Sequence, residues 1–297
     1  MPLIVLALTD LILSDPLKML QNTTAPAASC SRAYLNLNSS RKLPDLTATL
    51  TTAKLYVMSQ STTALKYCLP IIKSSLAEVL AKMRSAPKSY QILEIWLDYI
   101  EDLSEQMLDT LIAAREEREL LFLLRRQKLD PPKLGYEQRI ALLKSLTAHP
   151  SKDQLLIDLD IREQKAEVEW LATQNHTTPL ILSYHNYETT PQTEELRIIT
   201  NEMSRNKATI YKFSTYCQTQ ADALRLLQLQ LELRTQNKRH TVLGMGADGL
   251  VTRLFGPLWG SEIAYAPQVM ANSSAPGQLT LEELQRLLEQ LKVIHER

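Results

Sequence analysis

From about residue 66 onward the chain alternates two hydrophobic patterns. Short, nearly continuous apolar runs of strand length are followed by longer segments in which apolar residues recur every three or four positions, and the pair repeats about every thirty residues. The runs predict eight strands, at 66–71, 90–97, 120–125, 154–160, 179–184, 207–213, 240–245 and 262–266. Helical patterns fill the intervals, among them 104–118, 163–174, 193–205 and 221–235, and a last helix runs from residue 281 to about 293. Its start is legible: Thr280 with Glu283 three residues on makes a capping box, and Leu281, Leu284, Leu288 and Leu291 form one apolar stripe.

Strands that alternate with helices imply right-handed crossovers and a parallel sheet. Eight such units in roughly 230 residues match the length of a closed (β/α)8 barrel, the TIM-barrel architecture, so an α/β barrel is the expected fold. A doubly wound open sheet is the competing arrangement, and the lack of a Gly-rich turn after the first strand argues against its dinucleotide-binding form. The expected organisation is an N-terminal extension over residues 1–65 and a barrel over 66–297. The apolar run at 2–8 has no positive region before it, is interrupted by Asp10 and is too short to span a bilayer; the polar stretch at 21–40 has linker composition.

Charge removes several function classes. The 33 Lys and Arg balance 33 Asp and Glu, so no bulk field draws the chain to nucleic acid or anionic lipid, and no local basic patch replaces it. Neither a nucleic-acid nor a membrane partner is expected. Cys30, Cys68 and Cys217 show no CxxC pairing and no spacing with His suited to zinc, which predicts neither disulfide framework nor structural metal and fits a reducing cytoplasm. Glycine is scarce, 7 residues where about twenty would be usual, which makes the cluster Gly244, Gly246 and Gly249 conspicuous.

In a barrel, chemistry belongs where strands end. The fifth predicted strand runs into His185, whose ordinary pKa suits a general acid or base, although a histidine at such a place also serves as a plain hydrogen-bonded loop residue. Lys212 lies inside the apolar sixth strand; walls of that kind lower an amine's pKa and free it to attack a carbonyl, unless the side chain snorkels to water. Arg253, on a short helix after the glycine cluster, has the fork to grip a carboxylate, or is a surface arginine. The small-residue loop from Ser274 to Gln278 precedes the last helix, as a lid or as an ordinary Pro-Gly turn.

Together these segments resemble the type I 3-dehydroquinate dehydratases, Schiff-base barrel enzymes of the shikimate pathway. The similarity rests on Ser183-Tyr-His-Asn-Tyr-Glu-Thr-Thr-Pro191, on Tyr211-Lys212-Phe213 with the Ala221-Asp-Ala-Leu-Arg-Leu-Leu227 helix, on Gly244-Met-Gly246 leading to Thr252-Arg253, and on Ser274-Ala-Pro-Gly-Gln278. It covers about residues 66–293 and implies a lyase that dehydrates 3-dehydroquinate without metal or organic cofactor. The resemblance makes Lys212 the imine-forming lysine, His185 the general base and Arg253 the carboxylate binder. It makes Ser274 and Gln278 lid residues, Arg125 and Glu94 polar groups at the ends of strands three and two, and Asp158 an acidic residue near the histidine. It also implies a homodimer.

The departures are specific. Trp96 stands where the family has Arg in Glu-x-Arg-x-Asp, Leu129 where it has the Glu of Glu-Gly-Gly, and Asp160 where Glu is usual. Losing charged partners in a closed site costs a few kcal/mol of transition-state stabilisation, which predicts weakened turnover. Two other readings stay open: a different Schiff-base reaction of the class I aldolase kind, favoured by Trp96 and Leu129, and a non-catalytic barrel that binds or scaffolds.

Overall fold

The computed structural model describes residues 64–125 and 132–295, so residues 1–63 of the expected extension and Leu129 lie outside the described residues. Eight parallel strands form one sheet: β1 (Lys66–Ile71), β2 (Ile92–Trp96), β3 (Glu119–Leu123), β4 (Leu155–Asp160), β5 (Leu180–Asn186), β6 (Ile210–Tyr216), β7 (His240–Met245) and β8 (Ile263–Tyr265). Between and after them run α1 (Leu76–Ser85), α2 (Glu105–Ala113), α3 (Tyr136–Ala148), α4 (Lys165–Thr173), α5 (Thr193–Arg205), α6 (Gln220–Thr235), α7 (Leu250–Leu258) and α8 (Leu281–His295).

The strand order β7-β6-β5-β4-β3-β2-β1-β8 brings the last strand beside the first, so the sheet curls into a nearly closed (β/α)8 barrel. Between β7 and β8 there is no ladder. The Glu262 N–H donates to the His240 carbonyl at 2.8 Å and the Ile263 N–H to the Thr241 hydroxyl at 3.1 Å.

Side chains alternate across each strand, and the parallel register then sorts them into layers inside the barrel. Ile92, Leu156, Ile210 and Ile263, one from each even-numbered strand, form an apolar floor, with Cys68, Leu121 and Ile181 of the odd strands above it. The next even-strand level is Glu94, Asp158, Lys212 and Tyr265, two positions further along each strand. The outward-facing side chains, Leu93, Phe122, Ile157, Leu182 and Phe213 among them, pack against the helices in a larger second core.

Helix ends follow local chemistry. Ser75 caps α1 by accepting the Glu78 N–H at 3.3 Å, and the predicted box at α8 is formed, Thr280 N–H donating to Glu283 at 2.9 Å and the Glu283 N–H to the Thr280 hydroxyl at 3.3 Å. Two strands run further than their apolar patterns. β5 continues through His185 and Asn186, and β6 through Ser214 to Tyr216, because those polar residues pair with each other, His185 with Ser214 and Asn186 with Thr215. Both candidate catalytic side chains therefore sit within strands. No helix among the described residues is long and apolar enough to cross a membrane.

The glycine cluster serves backbone packing. A Cβ on Gly249 would lie 2.4 Å from the Gly244 carbonyl carbon and 2.6 Å from the Met245 oxygen, both main-chain atoms that cannot swing aside. Gly249→Ala should therefore force the β7–α7 turn apart at about 2–4 kcal/mol, a fall in Tm of roughly 5–10 °C by calorimetry; an unchanged Tm would contradict this packing.

Candidate active site

The cleft at the C-terminal mouth of the barrel encloses about 390 Å³ including its opening. Glu94, Trp96, Arg125, His185, Lys212, Arg253, Ser274 and Gln278 all line it, joined by Tyr187, Ser214, Met245 and Tyr265. Strand alternation explains the convergence: Ser183 pairs with Lys212 across β5 and β6, and His185, two residues beyond Ser183, faces the same interior.

Lys212 is held between acids. Its Nζ donates to Asp158 Oδ2 at 2.7 Å, lies 3.7 Å from Glu94 Oε1 and sits 4.3 Å from the centroid of the Tyr265 ring. Burial pulls the amine's pKa down, but Asp158 and Glu94 outweigh it and hold the group above the ordinary lysine value. The expectation of a neutral, desolvated amine is thus corrected for this state: the same burial that would neutralise it also concentrates the field of two carboxylates. Burial pushes Asp158 up, yet Lys212, Arg125 and His185 together hold it below the usual carboxylate range, and Ser183 donates to its other oxygen at 2.5 Å. Glu94 is raised, burial prevailing over Lys212 and over the Trp96 indole N–H that donates to its Oε2 at 2.9 Å.

His185 is held on both nitrogens. Arg125 Nη2 lies 2.7 Å from Nε2, and Nδ1 lies 2.9 Å from Asp160 Oδ2, which also accepts the His185 main-chain N–H at 3.1 Å. A guanidinium can only donate, so Nε2 must carry the lone pair and Nδ1 the proton. Asp160 Oδ1 takes the N–H groups of Arg162 and Glu163 at 2.9 and 3.0 Å, fixing the acid that fixes the ring. Burial, then the charge of Arg125, lowers the imidazole to a pKa of about 4 against the pull of Asp160.

Asp158, expected near the histidine, feels its charge and hydrogen-bonds the lysine. The acid on the imidazole is Asp160, noted in the sequence only as a departure; both are on β4 and two apart, and only the register with β5 distinguishes their partners. Trp96 likewise lines the site, with Arg125 5.6 Å from its ring centroid. Tyr265 carried no sequence signal, since a tyrosine at the end of an apolar run reads as core.

Arg253 is 5% exposed and its Nε has no hydrogen-bond partner, while Nη2 reaches the Pro276 carbonyl at 3.4 Å. Burial lowers its pKa to about 10, so it stays charged at neutral pH and suits an anionic group of a ligand. The Ser273–Gln278 loop is tied to itself: Gln278 Oε1 accepts the Ser274 N–H at 2.8 Å and its Nε2 donates to the Ser274 hydroxyl at 3.0 Å. Gly277, at φ +78°, lets this loop lie on Gly246, where a Cβ would come within 2.6 Å of the Gly246 oxygen. Among the described residues no cluster of His, Cys, Asp and Glu is arranged to hold a metal ion.

Comparison with known proteins points the same way as this arrangement. The family model described as Type I 3-dehydroquinase matches residues 67–295. The chain is 30% identical over 230 residues to a 3-dehydroquinate dehydratase of Geobacillus sp. strain WCH70, covering 74% of this chain and 88% of the relative. It is 28% identical over 231 residues to one of Methanococcus maripaludis strain S2, covering 75% and 98%. The crystal structure of 3-dehydroquinate dehydratase from Geobacillus kaustophilus HTA426 superposes with a TM-score of 0.66 at 25% identity, covering 78% of this chain and 92% of that one.

The shift of His185 from 6.5 to about 4 amounts, at about 1.4 kcal/mol per unit, to at most about 3 kcal/mol. Between those pH values the unfolded chain binds a proton at this residue and the folded chain does not, so stability falls as the pH drops through that window. His185→Gln should lose less Tm than the wild type between pH 6.5 and 4.5. Parallel acid dependence of the two proteins would contradict the buried neutral imidazole.

Proposed function

The chain belongs to the type I 3-dehydroquinase family, and from that premise we propose that it dehydrates 3-dehydroquinate to 3-dehydroshikimate through an imine on Lys212. The observation that carries the reading is the cleft itself: a buried primary amine, a neutral imidazole whose lone pair faces inward and a guanidinium with a free N–H share one small space.

The substrate carries a ketone, a hydroxyl β to it and a carboxylate. Arg253 binds the carboxylate, with Ser274 and Gln278 of the loop over it closing the site to water. The Lys212 ammonium first gives up a proton, for which Asp158 at 2.7 Å is the adjacent acceptor. The free amine adds to the ketone, and the carbinolamine loses water to leave an iminium. That cation acidifies the neighbouring C–H; His185 Nε2 removes the proton, the electron pair forms an enamine, and the enamine expels the β-hydroxyl, which leaves as water with the proton returned by His185. Water then cleaves the conjugated iminium, releasing the enone and restoring Lys212. One water consumed offsets the one lost on imine formation, so the net change is loss of the hydroxyl as water.

Burial and then the charge of Arg125 hold the imidazole at a pKa of about 4, and Arg125 occupies the lone pair that must act, so the base is weak and turnover should be reduced. Sodium borohydride added with 3-dehydroquinate should fix a single adduct on Lys212, mapped by mass spectrometry, and the enone product should appear by its absorbance without reductant. Adduct yield should rise with pH, because only the neutral amine attacks. Lys212→Met should abolish it and lower stability by about 3 kcal/mol, since Asp158 and Glu94 lose their cation. Labelling that persists in this variant would overturn the assignment.

A further inference from the structure

Trp96 is the last residue of β2 and continues the inward row of Ile92 and Glu94; it is 4% exposed. Its two ends engage the two halves of the cleft. The indole N–H donates to Glu94 Oε2, whose sister oxygen Oε1 faces the Lys212 amine at 3.7 Å. The ring face lies under the Arg125 guanidinium, which donates to His185, and the ring edge meets Tyr99 at a centroid distance of 5.9 Å. A carboxylate next to a buried ammonium is useful only if it is held there, ionised and correctly turned. An indole N–H does this without adding a second cation beside the lysine, which a basic side chain at this place would.

We infer that Trp96 is a positioning residue for Lys212: its N–H holds Glu94 as the second carboxylate on the amine, and its ring seats Arg125 against His185. The inference rests on the imine reading for its catalytic meaning. Its physical content, that residue 96 acts on Lys212 through Glu94, stands without substrate. The groups facing the amine are Asp158, Glu94, Tyr265 and, more distantly, Arg125. Losing the indole donor frees Glu94 to turn away from the amine, and Lys212 then loses part of the field that keeps it charged, so its titration moves to lower pH.

The test is competitive labelling of Lys212 with acetic anhydride across pH, with the modified peptide quantified by mass spectrometry. Trp96→Phe keeps a ring under Arg125 and removes the N–H; the labelling midpoint should fall by about half to one pH unit. Replacing Trp96 by 3-benzothienylalanine removes the N–H alone, and should give the same shift if the smaller phenyl ring unsettles the fold. Glu94→Gln should shift the midpoint at least as far, and Glu94→Gln with Trp96→Phe should match Glu94→Gln alone, because the two residues act in series. A midpoint unmoved by both Trp96 replacements, or a full additional shift in the double variant, would overturn the proposal. Failure of borohydride to trap 3-dehydroquinate on wild-type Lys212 would sink the imine reading and leave these midpoints as they are.

Discussion

One ammonium and two carboxylates share a level of the barrel interior that in an ordinary barrel of this kind is filled by branched apolar side chains. None of the three is tolerable there alone: an unpaired buried charge costs several kcal/mol, and removing one partner of such a set strands the others. Their arrangement depends on register. Glu94, Asp158 and Lys212 come from β2, β4 and β6 and meet only because the strands between them hold each at the same height. A slip of one residue in any of those strands would turn its charge outward into the leucine and isoleucine layer under the helices.

The cleft is electrostatically divided. Its lysine side is rich in carboxylates and favours the charged amine, while its histidine side lies under Arg125 and favours the neutral imidazole. Two groups with ordinary pKa values four units apart are thereby driven further apart: the imidazole rests with its lone pair unprotonated but is a weak base, and the amine must be relieved of its proton before it can bond. Asp160 orients the imidazole without reversing this, since three main-chain N–H groups and the ring share its charge.

Much of this was legible in the residues. Alternating runs of strand and helix length yield eight units, and 66–71, 193–205 and 240–245 coincide with β1, α5 and β7. The candidate side chains Lys212, His185, Arg253, Glu94, Arg125, Ser274 and Gln278 line one cleft. What the pattern hid were relations between strands. Hydropathy ended β5 before His185 because polar residues that pair with a neighbouring polar strand look like loop. It gave no means to tell Asp158 from Asp160, nor to know that Lys212 would meet acids rather than apolar walls. α1 and α3 were not singled out from the sequence. Trp96 read as a lost charge, whereas its indole supplies a donor and a seat.

The interrupted rim between β7 and β8 has its own consequence. Isolated bonds join that seam where a ladder joins its neighbours, so it is the line along which the cylinder opens at least cost. Arg253 is carried on the helix after one lip, and the Ser274 loop follows the other. Widening the gap separates the arm from the cover above it, so that exchange of the Gly246 amide, whose N–H donates to the Pro276 carbonyl at 3.3 Å, would serve as a clock for how often the mouth is unlatched.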